Sequence, residues 1–233
     1  MKVLLIGGPG TIGRFVTKEL APRHEIIDAG KTEGKYQVDT TDEDSVRKLF
    51  KAVGKVDAII VAAGAVHWGP LSEMTADQFK LGLHDKLMGQ VNVTRIGQHF
   101  LNDGGSITLT SGSLSHDPYF GGAALSTVNA AVDGFVRGAA VELDHDRRIN
   151  SVSPAVLKES WNVYGPGVPG VDPVPVNGSH SRTAKVSKAG RRGRTIASGS
   201  HAKRPRRKNS MSCRPRSPCT RSAITSPITL QNL

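Results

Sequence analysis

Cysteine is almost absent from this sequence. The only two cysteines, Cys213 and Cys219, lie near its C-terminal end, so residues 1–176 contain no pair that could form a disulfide. Because disulfides are typical of proteins in oxidising compartments, we expect a cytoplasmic protein. The spacing of the two cysteines does not match a CxxC metal or redox pair, and no metal site is predicted.

Long apolar runs are also missing. No stretch approaches the roughly 18 consecutive apolar residues of a membrane-spanning helix. The apolar run at the N-terminus, Val3–Ile6, is short and leads directly into glycines, which is not the pattern of a signal peptide. We therefore expect neither a membrane span nor a cleaved leader.

Acidic residues are missing from the last quarter of the chain. Residues 177–233 contain 14 of the 31 Lys and Arg residues but no Asp or Glu, so residues 1–176 carry 17 basic and 20 acidic side chains. The sequence pI of about 10.0 is therefore a property of this tail. The tail is rich in Ser, Arg, Lys, Gly and Pro without apolar periodicity, a composition that predicts disorder. We divide the chain into a domain at 1–176 and a basic tail at 177–233.

Three interpretations of this tail are open. A basic arm binds nucleic acid or another polyanion, including an anionic membrane surface, without specificity and through release of counterions. Residues 203–208, KRPRRK, resemble a nuclear localisation patch. Alternatively, the tail follows a reading-frame shift, since codons for residues 177–194 can encode RVALAYRKSVEGRQAGQ when read two bases later. We favour the frame shift, which predicts a domain without its last helix and its last edge strand.

Glycine is abundant at the start of the chain, directly after its first apolar run. The segment MKVLLIGGPGTIGR predicts a buried strand, a glycine turn and a helix, with the GxGxxG spacing of a dinucleotide-binding fingerprint. Without a Cβ in the way, a pyrophosphate can approach the backbone N–H groups at the helix N-terminus. The residues predicted to bind the cofactor here are Gly7, Gly8, Gly10, Thr11, Ile12 and Gly13.

The end of the second predicted strand bears on the choice of cofactor. In dinucleotide-binding folds this strand end meets the adenosine ribose, where a basic residue pairs with a 2′-phosphate and an acidic residue bonds a 2′-hydroxyl. Lys31 lies at this position and favours NADP, whereas Asp28 would favour NAD. The alternative is that Lys31 is an ordinary solvated turn residue.

Apolar runs and amphipathic stretches alternate along the rest of the domain. Continuous Val, Ile and Leu runs are typical of parallel strands buried on both faces, and a 3.6-residue apolar period indicates helices. The alternation predicts an α/β fold, a doubly wound parallel sheet between two layers of helices. Strands are predicted at 3–6, 24–28, 38–39, 56–61, 105–110 and 148–152, and helices after Gly13, from an N-cap at Thr41, over 75–102 and over 122–143.

Several motifs occur in the order typical of one family. The segment GGPGTIG, Asp39, Ala62–Gly64, Ser111–Ser113 and Ile149–Pro154 resemble motifs of the short-chain dehydrogenase/reductase family. The resemblance extends over residues 1–176 and implies a Rossmann-like fold, NADP or NAD as cofactor, and oxidoreductase activity on a small carbonyl or alcohol. It also implies cofactor contacts at Asp39, Ala62, Ala63, Gly64, Pro154 and Val156.

The proton-donating pair of this family is missing. Members use a serine, a tyrosine and a lysine four residues after the tyrosine, and the lysine lowers the pKa of the tyrosine so that it can act near neutral pH. Here Leu125 and Asn129 stand at the tyrosine and lysine positions, and Lys86 stands where the family has an asparagine. Leucine cannot donate a proton, and asparagine supplies no charge.

We hypothesise that the acid is relocated. Lys86 would act with Ser111 or Ser113, Asn129 would contact the nicotinamide ribose, and Tyr119 would approach from its loop. Because imidazole titrates near neutral pH, His67 and His116 are alternative donors. The opposite interpretation makes Lys86 solvent-facing and Tyr119 an ordinary loop residue.

Function at the level of the whole chain therefore has alternatives. The first is an NAD(P)-dependent oxidoreductase, and the second is a dinucleotide-binding protein without turnover that serves as a sensor or structural partner. A nucleic-acid-binding protein that acts through its basic tail is the third. We also expect a homodimer through the long helices and a loop at residues 160–176 that covers the substrate, with Trp161 and Tyr164 as lids.

Overall fold

The computed structural model describes residues 1–165, 172–175 and 194–198. Strands alternate with helices along these residues, and a π-helical turn, Leu83–Met88, joins two of the helices. The strands are β1 Lys2–Ile6, β2 Glu25–Gly30, β3 Tyr36–Gln37, β4 Val56–Val61, β5 Leu101–Thr110, β6 Arg148–Pro154 and β7 Arg194–Ser198. The helices are α1 Thr11–Leu20, α2 Glu43–Val53, α3 Ala76–Gly82, α4 Gly89–Gly97, α5 Ala123–Glu142 and α6 Trp161–Tyr164.

The strands form one seven-stranded sheet in the order β3-β2-β1-β4-β5-β6-β7, and each neighbouring pair is parallel. The predicted doubly wound parallel sheet is confirmed. The strand order reverses between β1 and β4, because the chain first builds outward through β2 and β3 and then returns to the other side of β1. Open parallel sheets bind ligands outside the carboxyl ends of the strands at such a reversal.

Apolar side chains on both faces of the sheet place helices above and below it. On one face, Val46 and Phe50 of α2, Val93 of α4 and Val132 of α5 pack in a single buried cluster with strand residues. On the other face, Val16 of α1 belongs to a second cluster with alternate residues of β1 and β4. The central strands are therefore buried on both faces, which explains their continuous apolar sequence.

Some element boundaries differ from the prediction. The N-cap of α2 is Asp42 rather than Thr41, because the Asp42 carboxylate accepts a hydrogen bond from the Asp44 backbone N–H at 2.9 Å. The Thr41 hydroxyl instead donates to Asp39 Oδ1 at 2.7 Å. The predicted helix over 75–102 is interrupted by the π-helical turn, and β5 begins at Leu101 rather than Gly105.

The prediction that the last edge strand is missing is wrong. Arg194–Ser198 form β7, which pairs with β6 from Asn150 opposite Arg194 to Pro154 opposite Ser198. The outer edge of β6 is therefore covered by a strand drawn from the tail. Residues 177–193 and 199–233 lie outside the described residues, so the disorder, polyanion binding and frame shift remain predictions. None of the helices in the described ranges is long and apolar enough to cross a membrane.

Candidate active site at the carboxyl edge of the sheet

The glycine turn after β1 is built for close approach. Gly7 has a φ of +87°, and its backbone N–H donates to Ala29 O at 2.8 Å, which ties the turn to β2. A Cβ on Gly13 would collide with the carbonyl oxygen of Gly7, so α1 packs directly against the turn. No side chain caps the N-terminus of α1. Its first N–H groups thus suit a phosphate ligand, and the cradle fits the predicted dinucleotide.

Lys31 and Asp39 are paired at the ends of β2 and β3. The Lys31 ammonium lies 3.0 Å from Asp39 Oδ2, and the hydrogen bond to Asp39 raises the pKa of Lys31. The hydrogen bond from the Thr41 hydroxyl has the largest effect on Asp39, and Lys31 adds to it. Together they lower the pKa of Asp39 to about 2, so this carboxylate is charged at neutral pH. The Lys31 side chain is 68% exposed, so it can turn toward an incoming anion without unfolding its surroundings.

A cavity of about 130 Å³ opens between Ile12, at the start of α1, and the carboxyl ends of β4, β5 and β6. It joins residues predicted to bind the cofactor with residues predicted to carry the chemistry. Its lining consists of Ile12, Ala62, Ala63, Gly64, Trp68, Lys86, Thr110, Ser111, Gly112, Ser113, Leu114, Leu125, Asn129, Pro154, Ala155, Val156, Leu157 and Ser160.

Lys86 projects from the π-helical turn into this lining. Its ammonium donates to the Ser111 carbonyl oxygen at 2.9 Å and to Asn129 Oδ1 at 2.8 Å. Burial lowers the pKa of Lys86 to about 8, because the charged ammonium lies among protein atoms rather than water. Two of its three N–H groups are engaged by these bonds, which leaves one for a ligand in the cavity.

Two glycines of the sequence motifs make room for this pair. Gly64 has a φ of +132°, and a Cβ there would lie 2.7 Å from Lys86 Cα. A Cβ on Gly112 would lie 2.5 Å from the Asn129 amide nitrogen. The motifs after β4 and β5 therefore position Lys86 and Asn129 in addition to bordering the cavity.

The family's asparagine and lysine positions carry the same two residue types in exchanged order. At the position on α5 where the family has a lysine, this chain has Asn129. At the earlier position where the family has an asparagine, it has Lys86. The two side chains meet through a direct hydrogen bond, so the cavity keeps one amide and one ammonium group. The ammonium therefore reaches the cavity from the π-helical turn instead of from α5.

The serines and the tyrosine position contribute differently from their prediction. Ser111 is 2% exposed, and its Oγ accepts a hydrogen bond from the Gly112 backbone N–H. Ser113 lines the cavity and is half-buried. Leu125 also lines the cavity, so an apolar side chain stands where the family has its proton-donating tyrosine.

The structure does not bring Tyr119 or the two candidate histidines to the cavity lining. Tyr119 is half-buried on the loop before α5. His67 is buried at 5% exposure, and its Nε2 would lie 3.0 Å from a Cβ on Gly69. His116 lies on the loop after β5, with Nε2 4.0 Å from Asp133 Oδ2.

Sequence reasoning missed two buried polar groups beside the site. Gln90 of α4 holds the end of β5, because its amide accepts from the Thr110 N–H at 2.8 Å and donates to the Thr110 carbonyl at 3.0 Å. Asp133 of α5 is 2% exposed and accepts a hydrogen bond from the Ser151 hydroxyl at 2.7 Å. Its spacing of four residues from Asn129, which places both polar side chains on one face of α5, was the available signal.

Comparison with known proteins agrees with this geometry. A family model described as Enoyl-(Acyl carrier protein) reductase matches residues 16–168. The chain belongs to the short-chain dehydrogenase/reductase family. Versicolorin reductase stcU of Emericella nidulans is 31% identical over 189 residues, which cover 67% of this chain and 69% of that protein.

Two solved structures resemble this short-chain dehydrogenase/reductase over most of its length. The protein lin1944 from Listeria innocua is 40% identical with a TM-score of 0.80, covering 84% of this chain and 99% of that one. A small-chain dehydrogenase in complex with NADPH is 25% identical with a TM-score of 0.74, covering 85% of this chain and 97% of that one. The predicted family and Rossmann-like fold are confirmed.

Proposed function

We propose that this protein is an NADP-preferring oxidoreductase that transfers hydride between the nicotinamide and a small carbonyl compound or alcohol. The observation that carries the proposal is a cavity lined both by Ile12, which lies within the glycine motif, and by the hydrogen-bonded Lys86–Asn129 pair. The NADPH bound to a related structure and the reductase names of relatives support the cofactor and the reaction class. NAD is the alternative cofactor.

The residues of the fold provide a place for each part of the cofactor. The turn from Gly7 to Gly13 would hold the pyrophosphate, with Lys31 near the 2′-phosphate and Asp39 near the adenine. Ala62–Gly64 and the segment from Pro154 to Val156 would border the nicotinamide half. When bound, the nicotinamide supplies or accepts the hydride.

Lys86 is the proton donor in this proposal. In carbonyl reduction, hydride adds to the carbonyl carbon and the Lys86 ammonium donates a proton to the oxygen, after which the neutral amine takes a proton from water. A pKa of about 8 keeps most of this group protonated at pH 7 while making it a stronger acid than an ordinary lysine. Asn129 and the Ser111 carbonyl orient the ammonium, and Ser113 binds the substrate oxygen. Participation of Tyr119 requires that its loop move toward the cavity.

The test is the oxidation of NADPH by the full chain across aldehydes, ketones and quinones. We expect Lys86→Met to lower turnover at least 100-fold while NADPH binding changes little, and Lys80→Met to leave both unchanged. Lys80 is a matched control because its ammonium lies on the surface beside Asp77. Wild-type turnover should fall as the pH rises through about 8, because Lys86 then loses its proton. Equal turnover in wild type and Lys86→Met would overturn the assignment.

A protein without turnover is the second candidate. It is favoured by the apolar Leu125 at the position of the family's proton donor. In that case NADPH would bind and would quench the fluorescence of Trp68, which lines the cavity. No member of the substrate panel would then accelerate NADPH oxidation.

A further inference from the structure

Asp133 is a buried carboxylate that the proposed reaction does not use. It lies on α5, which packs against β6, and its Oδ1 accepts a hydrogen bond from the Ser151 hydroxyl at 2.7 Å. Its Oδ2 is also buried and has no hydrogen-bond partner among the described residues. Burial of a charged carboxylate is strongly unfavourable unless an opposite charge lies nearby.

Two candidates for that opposite charge are His116 and Lys86. The side chain of His116 is 54% exposed, its Nε2 is 4.0 Å from Asp133 Oδ2, and it is charged only when protonated. Lys86 is half-buried and its ammonium donates to Asn129 Oδ1, and Asn129 lies four residues before Asp133 on the same face of α5. The negative charge of Asp133 raises the pKa of Lys86 and so opposes the effect of burial.

The other charged group beside Lys86 has a role of its own. Asp85, on the same π-helical turn, accepts a hydrogen bond from the Ala65 backbone N–H at 2.6 Å. This bond fixes the segment after β4. Asp133 is therefore a buried carboxylate whose second oxygen accepts no hydrogen bond within the described residues, with Nε2 of the exposed His116 4.0 Å away.

We propose that Asp133 is a positioning residue, the buried counter-charge that keeps Lys86 protonated inside the cavity. Ser151 holds the carboxylate from β6, and Asn129 holds the ammonium one helical turn away on α5. The proposal rests on the proposed function where it treats the ammonium as the proton donor. The coupling between the two charges is measurable without any turnover.

The first experiment measures the protonation of Lys86 directly in the full chain. Asp133→Asn keeps the size of the side chain and an oxygen that can accept from Ser151, but it removes the charge. Acetic anhydride labels neutral amines only, so peptide mass spectrometry gives the labelling of Lys86 relative to the exposed Lys48 at a series of pH values. We expect this ratio at pH 7 to rise about fivefold in Asp133→Asn, which corresponds to a fall of about one unit in the pKa of Lys86.

The matched control is Asp144→Asn. Asp144 lies just beyond the end of α5 and its side chain is 68% exposed, so this variant removes the same charge far from the cavity and should leave the ratio unchanged. An unchanged ratio in folded Asp133→Asn would overturn the proposal. A shifted ratio without any turnover in wild type would refute the proposed reaction and leave the charge coupling standing.

A second measurement applies if Asp133→Asn does not fold. Lys86→Met and the double variant Lys86→Met/Asp133→Asn are compared with wild type by thermal unfolding. Removal of the ammonium alone leaves Asp133 unpaired, so we expect the double variant to unfold at a higher temperature than Lys86→Met. A lower unfolding temperature for the double variant would contradict the coupling.

Discussion

Lys86 and Asn129 show how a site can keep an ammonium and an amide group while the two residues change places. An ammonium needs acceptors and an amide provides one, so either helix can supply either group as long as the two side chains meet. The hydrogen bond of 2.8 Å between them satisfies this condition. Burial then makes the relocated lysine more acidic than one in water, with a pKa of about 8.

At the same scale, Lys31 is expected to select the cofactor. Lys31→Ala should weaken NADPH binding about tenfold, roughly 1.4 kcal/mol, and leave NADH binding nearly unchanged, because only NADPH carries a 2′-phosphate. The pairing with Asp39 limits the effect, since the phosphate must share the ammonium with that carboxylate. The measurement is fluorescence titration with both cofactors. Lys35→Ala is the control, and equal losses for both cofactors in Lys31→Ala would exclude this role.

At the scale of elements, the junctions matter more than the interiors. Ile12 at the start of α1, Lys86 on the π-helical turn and residues at the ends of β4, β5 and β6 contribute to the cavity lining, together with Leu125 and Asn129 of α5. The strands and helices hold these junctions at one edge. π-Helical turns often mark functional sites, and this one carries Lys86. Its position after Gly82, against Gly64, places that lysine beneath the end of β4.

A substitution at Gly13 tests how closely the junction between β1 and α1 must pack. Gly13→Ala should abolish NADPH binding and lower the unfolding temperature, because its Cβ would collide with the Gly7 carbonyl and push α1 away from the turn. The control is Gly138→Ala on α5, where a Cβ meets no atom within 4 Å. That change should stabilise the protein by up to about 1 kcal/mol through helix propensity. Retained NADPH binding in Gly13→Ala would show that the turn does not approach the cofactor closely.

At the scale of the whole molecule, the sheet is completed by a strand from the basic tail. β7 covers the edge of β6, whose carboxyl end borders the cavity through Pro154. Unpaired strand edges promote association between chains. The described part of the tail therefore has a structural role, whatever the origin of its sequence.

Truncation separates the contribution of β7 from that of the residues after it. A chain ending at residue 198 should keep the unfolding temperature of the full chain, whereas a chain ending at residue 193 should unfold at a lower temperature and aggregate, because the edge of β6 is then exposed. Thermal unfolding and light scattering measure both effects. Equal behaviour of the two truncated chains would show that β7 does not stabilise the sheet.

Residue type and spacing were enough to predict the fold and to show that the usual proton donor is missing, and they predict where the cofactor binds. Continuous apolar runs define strands buried on both faces, glycines at fixed spacing define the turn after β1, and Leu125 cannot donate a proton in any conformation. These properties are local, so spacing and residue type suffice to predict them.

Which polar groups lie in contact could be seen only in the folded chain. Lys86 lies on the π-helical turn and Asn129 on α5, and their hydrogen bond depends on how these two elements pack rather than on either one alone. Pairing of β7 with β6 likewise joins segments separated by about forty residues, and apolar periodicity in the tail gave no sign of it. Tyr119 was a reasonable candidate by residue type, but its loop leaves it outside the cavity lining. Long-range contacts such as these are set by packing, which a single sequence does not display.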